Sequence, residues 1–259
     1  MATTSFLGRL KARLARHMRA ARQGERDLFE TVITEYSQPP IRSEYKFLIY
    51  ALFWPVHKVS GFLYYHFRAP RTGTVRVQIG PGKRSYFEGW INLDGNLFTS
   101  KCDVWVNFHN PLPFHDNTVD ALYSFMVIEH LRDLFFHFRE IHRVLKPGGV
   151  FRIGGPHADN AIRKFLEGDM AWFTEFPDKR NSIGGRFENF IFCREEHRTI
   201  TTFSFLEEIA KAAGFKELKV GRVCTQTNYP EIFDAHILGT EYESDQEFPH
   251  AIVIEARKE

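Results

Sequence analysis

VQIGPGKRSYFEGWINLDG (residues 77–95) joins a short β-branched run to a glycine turn, then to a second short run that ends in an acid. The first strand reaches back to Thr74 (TVRVQI) and stops at Gly80-Pro81-Gly82; the second covers residues 90–93 and stops at Asp94-Gly95. Downstream, residues 102–106 read as a third strand and 119–124 as a fourth. Residues 129–145 read as a helix with Leu131, Leu134, Phe135, Phe138, Ile141, His142 and Leu145 on one face, stopped by Lys146-Pro147-Gly148-Gly149. Residues 150–153 form a fifth, apolar strand running into Gly154-Gly155-Pro156. Strands alternating with helices predict an α/β fold, a mostly parallel sheet with helices on both faces. In such sheets ligands bind beyond the carboxyl ends of the strands, where the strand order reverses.

The chemistry at the first strand end follows from residue type. Glycines at 80 and 82 let the backbone turn sharply and approach a ligand, and an acid ending the next strand can accept hydrogen bonds from ribose hydroxyls. Both features suit an adenosine-containing cofactor. The third glycine of a dinucleotide fingerprint falls on Ser85, and no GxxxxGK[ST] is present, so the pattern is neither a dinucleotide oxidoreductase nor a P-loop nucleotidase.

The segments VQIGPGKRSYFEGWINLDG, NPLPFHDNTVDALYSFMVIEHL (residues 110–131) and REIHRVLKPGGVFRIGGP (residues 139–156) together resemble the class I S-adenosylmethionine-dependent methyltransferases. Within them the chain is most similar to the methyltransferase type 11 group and its bacterial branch associated with surface-polysaccharide gene clusters. The resemblance implies a Rossmann-like, seven-stranded, mostly parallel sheet with S-adenosyl-L-methionine as cofactor. It also implies a tail of one helix at residues 203–213, a sixth strand from Gly214 (GFKELKV) and an antiparallel seventh at 250–256. Gly80, Pro81 and Gly82 resemble the loop against the methionine part of the cofactor, and Asp94 the carboxylate on the ribose. Asn107 and Phe108 stand where adenine contacts are expected, Phe125 and Met126 near the transferred methyl. Gln78 replaces the usual acid two residues before the loop, Arg84 lies beside the replaced third glycine, and Asn107 or Asn110 stands for the acid after the third strand.

Methyl transfer is an in-line displacement, so the protein must position the acceptor and, for a hydroxyl, take its proton. Histidine suits that task, and His157 and His130 stand at strand ends, His157 being the preferred of the two; if the chain is still extended there, Asp159 lies on the same side as His157 and orients it. A metal-assisted reading would use Glu129, His130 and Asp133, but no dense ligand set accompanies them and no metal is expected. His109, His115, His137 and His142 read as surface or core residues. Residues 169–198 form a long insertion with Trp172, Phe173, Phe176, Phe187, Phe190 and Phe192 and with Arg180, Arg186 and Arg194. It follows the fifth strand, where an acceptor lid would lie, and its aromatic and arginine content suits sugars or phosphorylated acceptors. A second insertion, residues 224–248, has no readable role.

The 259 residues are 43% hydrophobic and 25% charged, which excludes a disordered chain and a polytopic membrane protein. The 34 Lys/Arg against 32 Asp/Glu exclude a generally basic nucleic-acid binder, but the near-balance conceals a division. Residues 1–76 hold 13 Lys/Arg against 5 Asp/Glu, leaving 21 against 27 in the remainder. Residues 1–70 thus read as a basic, aromatic helical appendage on a domain at 71–259. Leu7, Leu10, Leu14, Met18 and Ala21 recur at helical spacing among arginines, the pattern resumes after Gly24 as far as Tyr36, and Pro39-Pro40 stops it. The appendage suits an anionic membrane surface, an assembly-complex partner or a cap on its own domain. Three scattered cysteines, the lack of a secretory pattern and a longest apolar run of only residues 47–57 point to a cytoplasmic protein, peripheral at most on the inner face of the membrane. The expected activity is O-methylation of a sugar hydroxyl in a glycan, lipid-linked glycan or nucleotide sugar. The alternatives are a quinone or lipid O-methyltransferase, and a cofactor-binding interaction module without catalysis.

Overall fold

The computed structural model describes residues 43–83, 85–97 and 100–259, with side chains from residue 51 onward. The expected amphipathic helix near Leu7, its continuation to Tyr36, the Pro39-Pro40 stop and Arg84 lie outside the described residues. Seven strands form one sheet: β1 (Arg76–Ile79), β2 (Ile91–Asp94), β3 (Val104–Trp105), β4 (Val119–Phe125), β5 (Leu145–Pro156), β6 (Lys219–Gly221) and β7 (Ala251–Arg257). Their order is β3-β2-β1-β4-β5-β7-β6, with β7 antiparallel to both its neighbours and every other pair parallel. This is the expected Rossmann-like arrangement, and its order reverses between β1 and β4.

The helices are α1 (Ser43–Leu63), α2 (Leu134–Val144), α3 (Ala158–Glu167), α4 (Ile183–Phe192), α5 (Phe203–Ala213) and the single turn α6 (Ala235–Leu238). One sheet face carries Val77, Ile79, Leu93, Leu122, Phe151, Ile153 and Ile254, covered by Phe138 and Ile141 of α2 and Leu206 and Ala210 of α5. The other face has a different character. Asn92, Gln78, Tyr123, Arg152 and Glu255 are direct partners across five adjacent strands, so a polar row crosses the sheet. Phe87, Trp90, Tyr229, Phe233 and Ile237 cover that side, supplied by the β1–β2 connection and the 224–248 insertion in place of long helices.

The row is buried and satisfied. Arg152, with no exposed surface, donates Nε and Nη2 to the two carboxylate oxygens of Glu241 at 2.7 Å each, and Nη1 to Glu255 at 2.6 Å. Glu255 also accepts from Thr227 and from the backbone and side chain of Asn228, while Cys224 N donates to Glu241. The second insertion, unreadable from sequence, is therefore fastened to the back of the sheet by one guanidinium.

Several element boundaries differ from expectation; β5 already begins at Leu145, so residues 146–149 lie within the strand, and β3 is only Val104–Trp105. Residues 128–130 form a separate 3₁₀ turn, Leu131 is extended, and α2 begins only at Leu134 because the Asp133 carboxylate caps it, accepting from Phe136 N at 2.8 Å. The sixth strand does not start at Gly214, which ends α5 in the left-handed conformation, but is confined to Lys219–Gly221. At the other edge α1 runs into a π turn, Tyr64–Arg68. Its inward side chains dock on the sheet: His57 Nε2 lies 2.9 Å from Gly95 O, Trp105 N donates to Ser60 Oγ, and the Tyr64 ring meets Phe114 in the main core.

Removing one member of a buried ion cluster leaves its partners charged and unpaired, at a cost of about 3–5 kcal/mol. Arg152→Met is expected to lose that much in urea unfolding, and a variant that also carries Glu241→Gln and Glu255→Gln is expected to recover part of it. A loss below about 1 kcal/mol for Arg152→Met would show that the row does not hold the second face.

Candidate active site

At the order reversal, β1 ends in Gly80 and Gly82 with φ of +73° and +54°, a region that side chains disfavour. A Cβ on Gly80 would lie 2.3 Å from Val127 Cγ2, so glycine lets the β1 loop pack directly on the segment after β4; a Cβ on Gly82 would meet only open space. Asp94 closes β2 with its carboxylate turned back on this loop. Its Oδ2 accepts from Gly82 N at 2.9 Å and its Oδ1 from Asn96 N at 2.7 Å, and the residue is 7% exposed. Lys101 N donates to Gly82 O, and Gly80 N to Leu93 O, which completes a rigid loop–strand unit.

Of the remaining expected cofactor residues, Gln78 is not brought to this loop. Its Oε1 accepts from Phe87 N within the polar row on the far face, beside Asn92 Oδ1 on the same amide. Asn107 and Phe108 follow β3: Asn107 Oδ1 accepts from His109 N, and Phe108 stands edge-on to the ring of His137. Phe125 and Met126 close β4. A Cβ on Gly154 would lie 2.4 Å from the Phe125 ring, and Met126 adopts φ of +55° while donating its N–H to Gly154 O. A non-glycine residue held there is strained, a condition common at functional sites.

Because the chain after β4 makes one 3₁₀ turn and α2 starts only at Leu134, Glu129 and His130 sit at the strand end. Glu129 is buried, its Oε2 has no hydrogen-bond partner among the described residues, and burial pushes its carboxyl up to about 8. His130 Nε2 lies 3.7 Å from Glu129 Oε1. The third member is His197 from the 169–198 insertion: ligand atoms of Glu129, His130 and His197 all lie within 4.8 Å of one another. Burial, with the charge of His130, holds the His197 ring down to about 4. Asp133, expected beside Glu129 and His130, is spent capping α2. Sequence spacing gave no sign of His197, which arrives through a tight turn in which Cys193, Arg194 and Glu195 all have positive φ. Each such residue costs roughly 1–2 kcal/mol, and the turn is held because Arg198 N donates to Glu129 O and Glu196 O lies 3.1 Å from His130 Nδ1.

His157 has a different surrounding. The chain does not stay extended after β5; α3 starts at once, with His157 as its cap and Nδ1 accepting from Asn160 N at 3.4 Å. Asp159 lies in the first helical turn, 3.8 Å from that ring, and its carboxylate accepts from Phe203 N at 2.8 Å, so it does not orient His157. Burial lowers the His157 pKa against the opposing pull of Asp159 and Glu243. The insertion's aromatic residues mostly face each other: Trp172, Phe173 and Ile191 form a small buried core with Phe187, Phe190 and Phe248, and Trp172 stacks on His250 at 4.2 Å. Its arginines are paired internally, Arg186 with Glu175, and Arg180 and Arg194 with Asp178.

Residues 96–153 match the family model of a methyltransferase domain. The matched segment contains β3, β4 and most of β5, whose ends carry Asn107, Met126 and Glu129. A Mycolicibacterium smegmatis protein named "Probable S-adenosylmethionine-dependent methyltransferase" is 48% identical over 46 residues, 18% of this chain and 18% of that protein. Cycloartenol-C-24-methyltransferase 1 of Oryza sativa subsp. japonica is 31% identical over 87 residues, 31% of this chain and 25% of that protein. The matches thus span a quarter or less of these relatives' own lengths. Among solved structures, an S-adenosylmethionine-dependent methyltransferase of Thermotoga maritima, described as a possible histamine N-methyltransferase, is 16% identical with a TM-score of 0.46, over 83% of this chain and 97% of that one. The family match thus lies on β3, β4 and β5 of the sheet.

His137 gives this region a pH signature. Burial, with His109 adding to it, pushes its ring from 6.5 down to about 4. The unfolded chain therefore binds more protons between those values, and stability falls as the pH drops through that window. About 2 kcal/mol should be lost between pH 7 and pH 5. His137→Phe is expected to lose that much less over the same range in urea unfolding; an unchanged pH dependence would contradict the buried neutral ring.

Proposed function

We propose that this chain is an S-adenosylmethionine-dependent O-methyltransferase, with the catalytic unit at residues 71–259, a lid at 169–198 and an appendage at 1–70. The observation that carries the reading is the Asp94 carboxylate held against the Gly80–Gly82 turn at the order reversal, a cradle whose open side lies where a Cβ on Gly82 would point. When bound, the cofactor supplies an electrophilic methyl group on sulfur. Asp94, held by the Gly82 and Asn96 amides, is the carboxylate that would bind the ribose hydroxyls. The glycine loop admits the methionine moiety, Asn107 and Phe108 flank adenine, and Phe125 and Met126 shape the wall near the methyl. Gln78 supports the loop from behind.

The acceptor hydroxyl would lie beside the end of β4 and give up its proton at the Glu129–His130–His197 cluster. His157 is the weaker candidate, since its Nδ1 caps α3 and its other nitrogen then carries hydrogen. A sugar hydroxyl of a glycan or nucleotide sugar is the favoured acceptor, supported by the resemblance of residues 77–156 and by the exposed insertion aromatics Phe176 and Phe192. Asp94→Ala should weaken cofactor binding more than tenfold by calorimetry, equivalent to about 1.4 kcal/mol or more, with an unchanged circular dichroism spectrum. Unaltered affinity would sink the assignment. Labelled methyl transfer to a cell-extract fraction separates an enzyme from a binding module, and partition of the product into lipid or water separates a quinone or lipid acceptor from a sugar.

A peripheral membrane role is supported by α1. Its outward side exposes Leu52, Trp54, Val56, Val59, Phe62 and Leu63, followed by Phe67 at 76% exposure, with Lys58 over the Trp54 ring and Arg68 beside them. Apolar side chains edged by cations suit an anionic lipid surface. Among the described residues no helix is long and apolar enough to cross a membrane. The full chain is expected to sediment with anionic vesicles at low salt, and a variant carrying Trp54→Ser, Phe62→Ser and Phe67→Ser to stay in solution; equal sedimentation would remove the membrane role.

A further inference from the structure

The cluster at the end of β4 has a chemistry that methyl transfer alone does not require. Three electron-pair donors converge: the Glu129 carboxylate, His130 and His197, with ligand atoms within 4.8 Å of one another. The protonation pattern of the two rings follows from their partners. His130 Nδ1 lies 3.1 Å from Glu196 O, and His197 Nδ1 lies 3.1 Å from Ile191 O. A carbonyl oxygen only accepts, so Nδ1 carries the hydrogen in each ring and Nε2 keeps the lone pair. In His130 that Nε2 lies 3.7 Å from a Glu129 oxygen. The second Glu129 oxygen, Oε2, is buried with no hydrogen-bond partner among the described residues, and a Cβ on Gly155 would already stand 3.7 Å from it. The three groups thus present atoms able to donate an electron pair toward one point.

We propose that Glu129, His130 and His197 form a binding site for a divalent first-row transition-metal ion. Two imidazoles and one carboxylate, each ring donating its other N–H to a carbonyl, make a ligand set with its outer shell already in place. Imidazole nitrogen favours zinc, cobalt, iron or nickel over magnesium or calcium, which prefer all-oxygen sites. His130 is the exposed member, so a fourth position opens toward solvent on that side, where an oxygen ligand could enter. The insertion supplies His197 and also both carbonyls that orient the rings, so the ion would clasp residues 191–198 to the strand end. The binding claim rests on the cluster alone; that the fourth ligand is the acceptor oxygen rests on the methyltransferase reading above.

The test uses the untagged full chain, stripped with a chelator and titrated with Co²⁺ and then Zn²⁺, with absorbance and calorimetry as readouts. One Co²⁺ per chain should bind with visible d–d bands and be displaced by Zn²⁺, while millimolar Mg²⁺ should not compete. His197→Gln and Glu129→Gln should each weaken Co²⁺ binding at least tenfold, and Asp133→Asn, whose side chain still caps α2, should leave it unchanged. Should Glu129→Gln fail to fold, His197→Gln and His130→Gln carry the comparison. Lack of saturable binding, or equal affinity in His197→Gln and the parent chain, would overturn the site. Cofactor titration of the same metal-free chain keeps the two readings apart. Cofactor binding with no Co²⁺ binding removes the metal site and leaves the methyltransferase reading standing; Co²⁺ binding without cofactor binding supports the site and removes that reading.

Discussion

A guanidinium with no exposed surface sets the architecture of this domain. Arg152 lies in the middle of the sheet and grips Glu241 from the second insertion and Glu255 from β7, so strand pairing and insertion placement are one event. Such a group is tolerated only when every donor is satisfied, and here Gln226 O and Arg222 O accept as well. The polar row explains why the second face carries few helices. A covering of helices would present apolar side chains to Arg152 and Glu255, whereas the irregular 222–241 segment presents carbonyls, amides and a carboxylate.

That constraint reaches the site through β5. With Arg152 fixed between Tyr123 and Glu255, the end of the strand puts Gly154 against the Phe125 ring and Gly155 against Ile128 and Glu129. The chain after β4 is pressed from both sides, by β5 glycines and by Gly80 of the β1 loop. It responds with a left-handed Met126 and a 3₁₀ turn, which together place Glu129 in a buried position. Residues 125–131 are thus one crowded segment that packs on the Gly80 loop and carries Glu129 and His130 of the cluster.

Local features of this plan were legible in the sequence, and distant ones were not. The strands at Gly80 and Asp94 could be read because turn glycines and a strand-end acid act over a few residues, and the parallel order followed from alternation. The helix before β5 was read as starting five residues too early because its face pattern continues back to Leu131, while the true start is decided by one capping bond to Asp133. The hydrogen bond that Gln78 Oε1 accepts from Phe87 N could not be read because it depends on tertiary folding. Glu241 and Glu255 stand 89 and 103 positions from Arg152, and no periodicity links them. His197 was hidden for the same reason: only the fold brings the insertion back to the end of β4. The insertion's aromatics and arginines read as an acceptor surface, but most of them build the insertion's own core and ion pairs.

The central claim is that residues at the β1, β2 and β4 ends form one cofactor site. Hydrogen–deuterium exchange of the full chain with and without S-adenosylmethionine tests it most directly. Protection is expected in residues 79–96, 106–110 and 125–131, with no change in residues 222–241 behind the sheet. Protection confined to other segments, or none at saturating cofactor, would contradict the account.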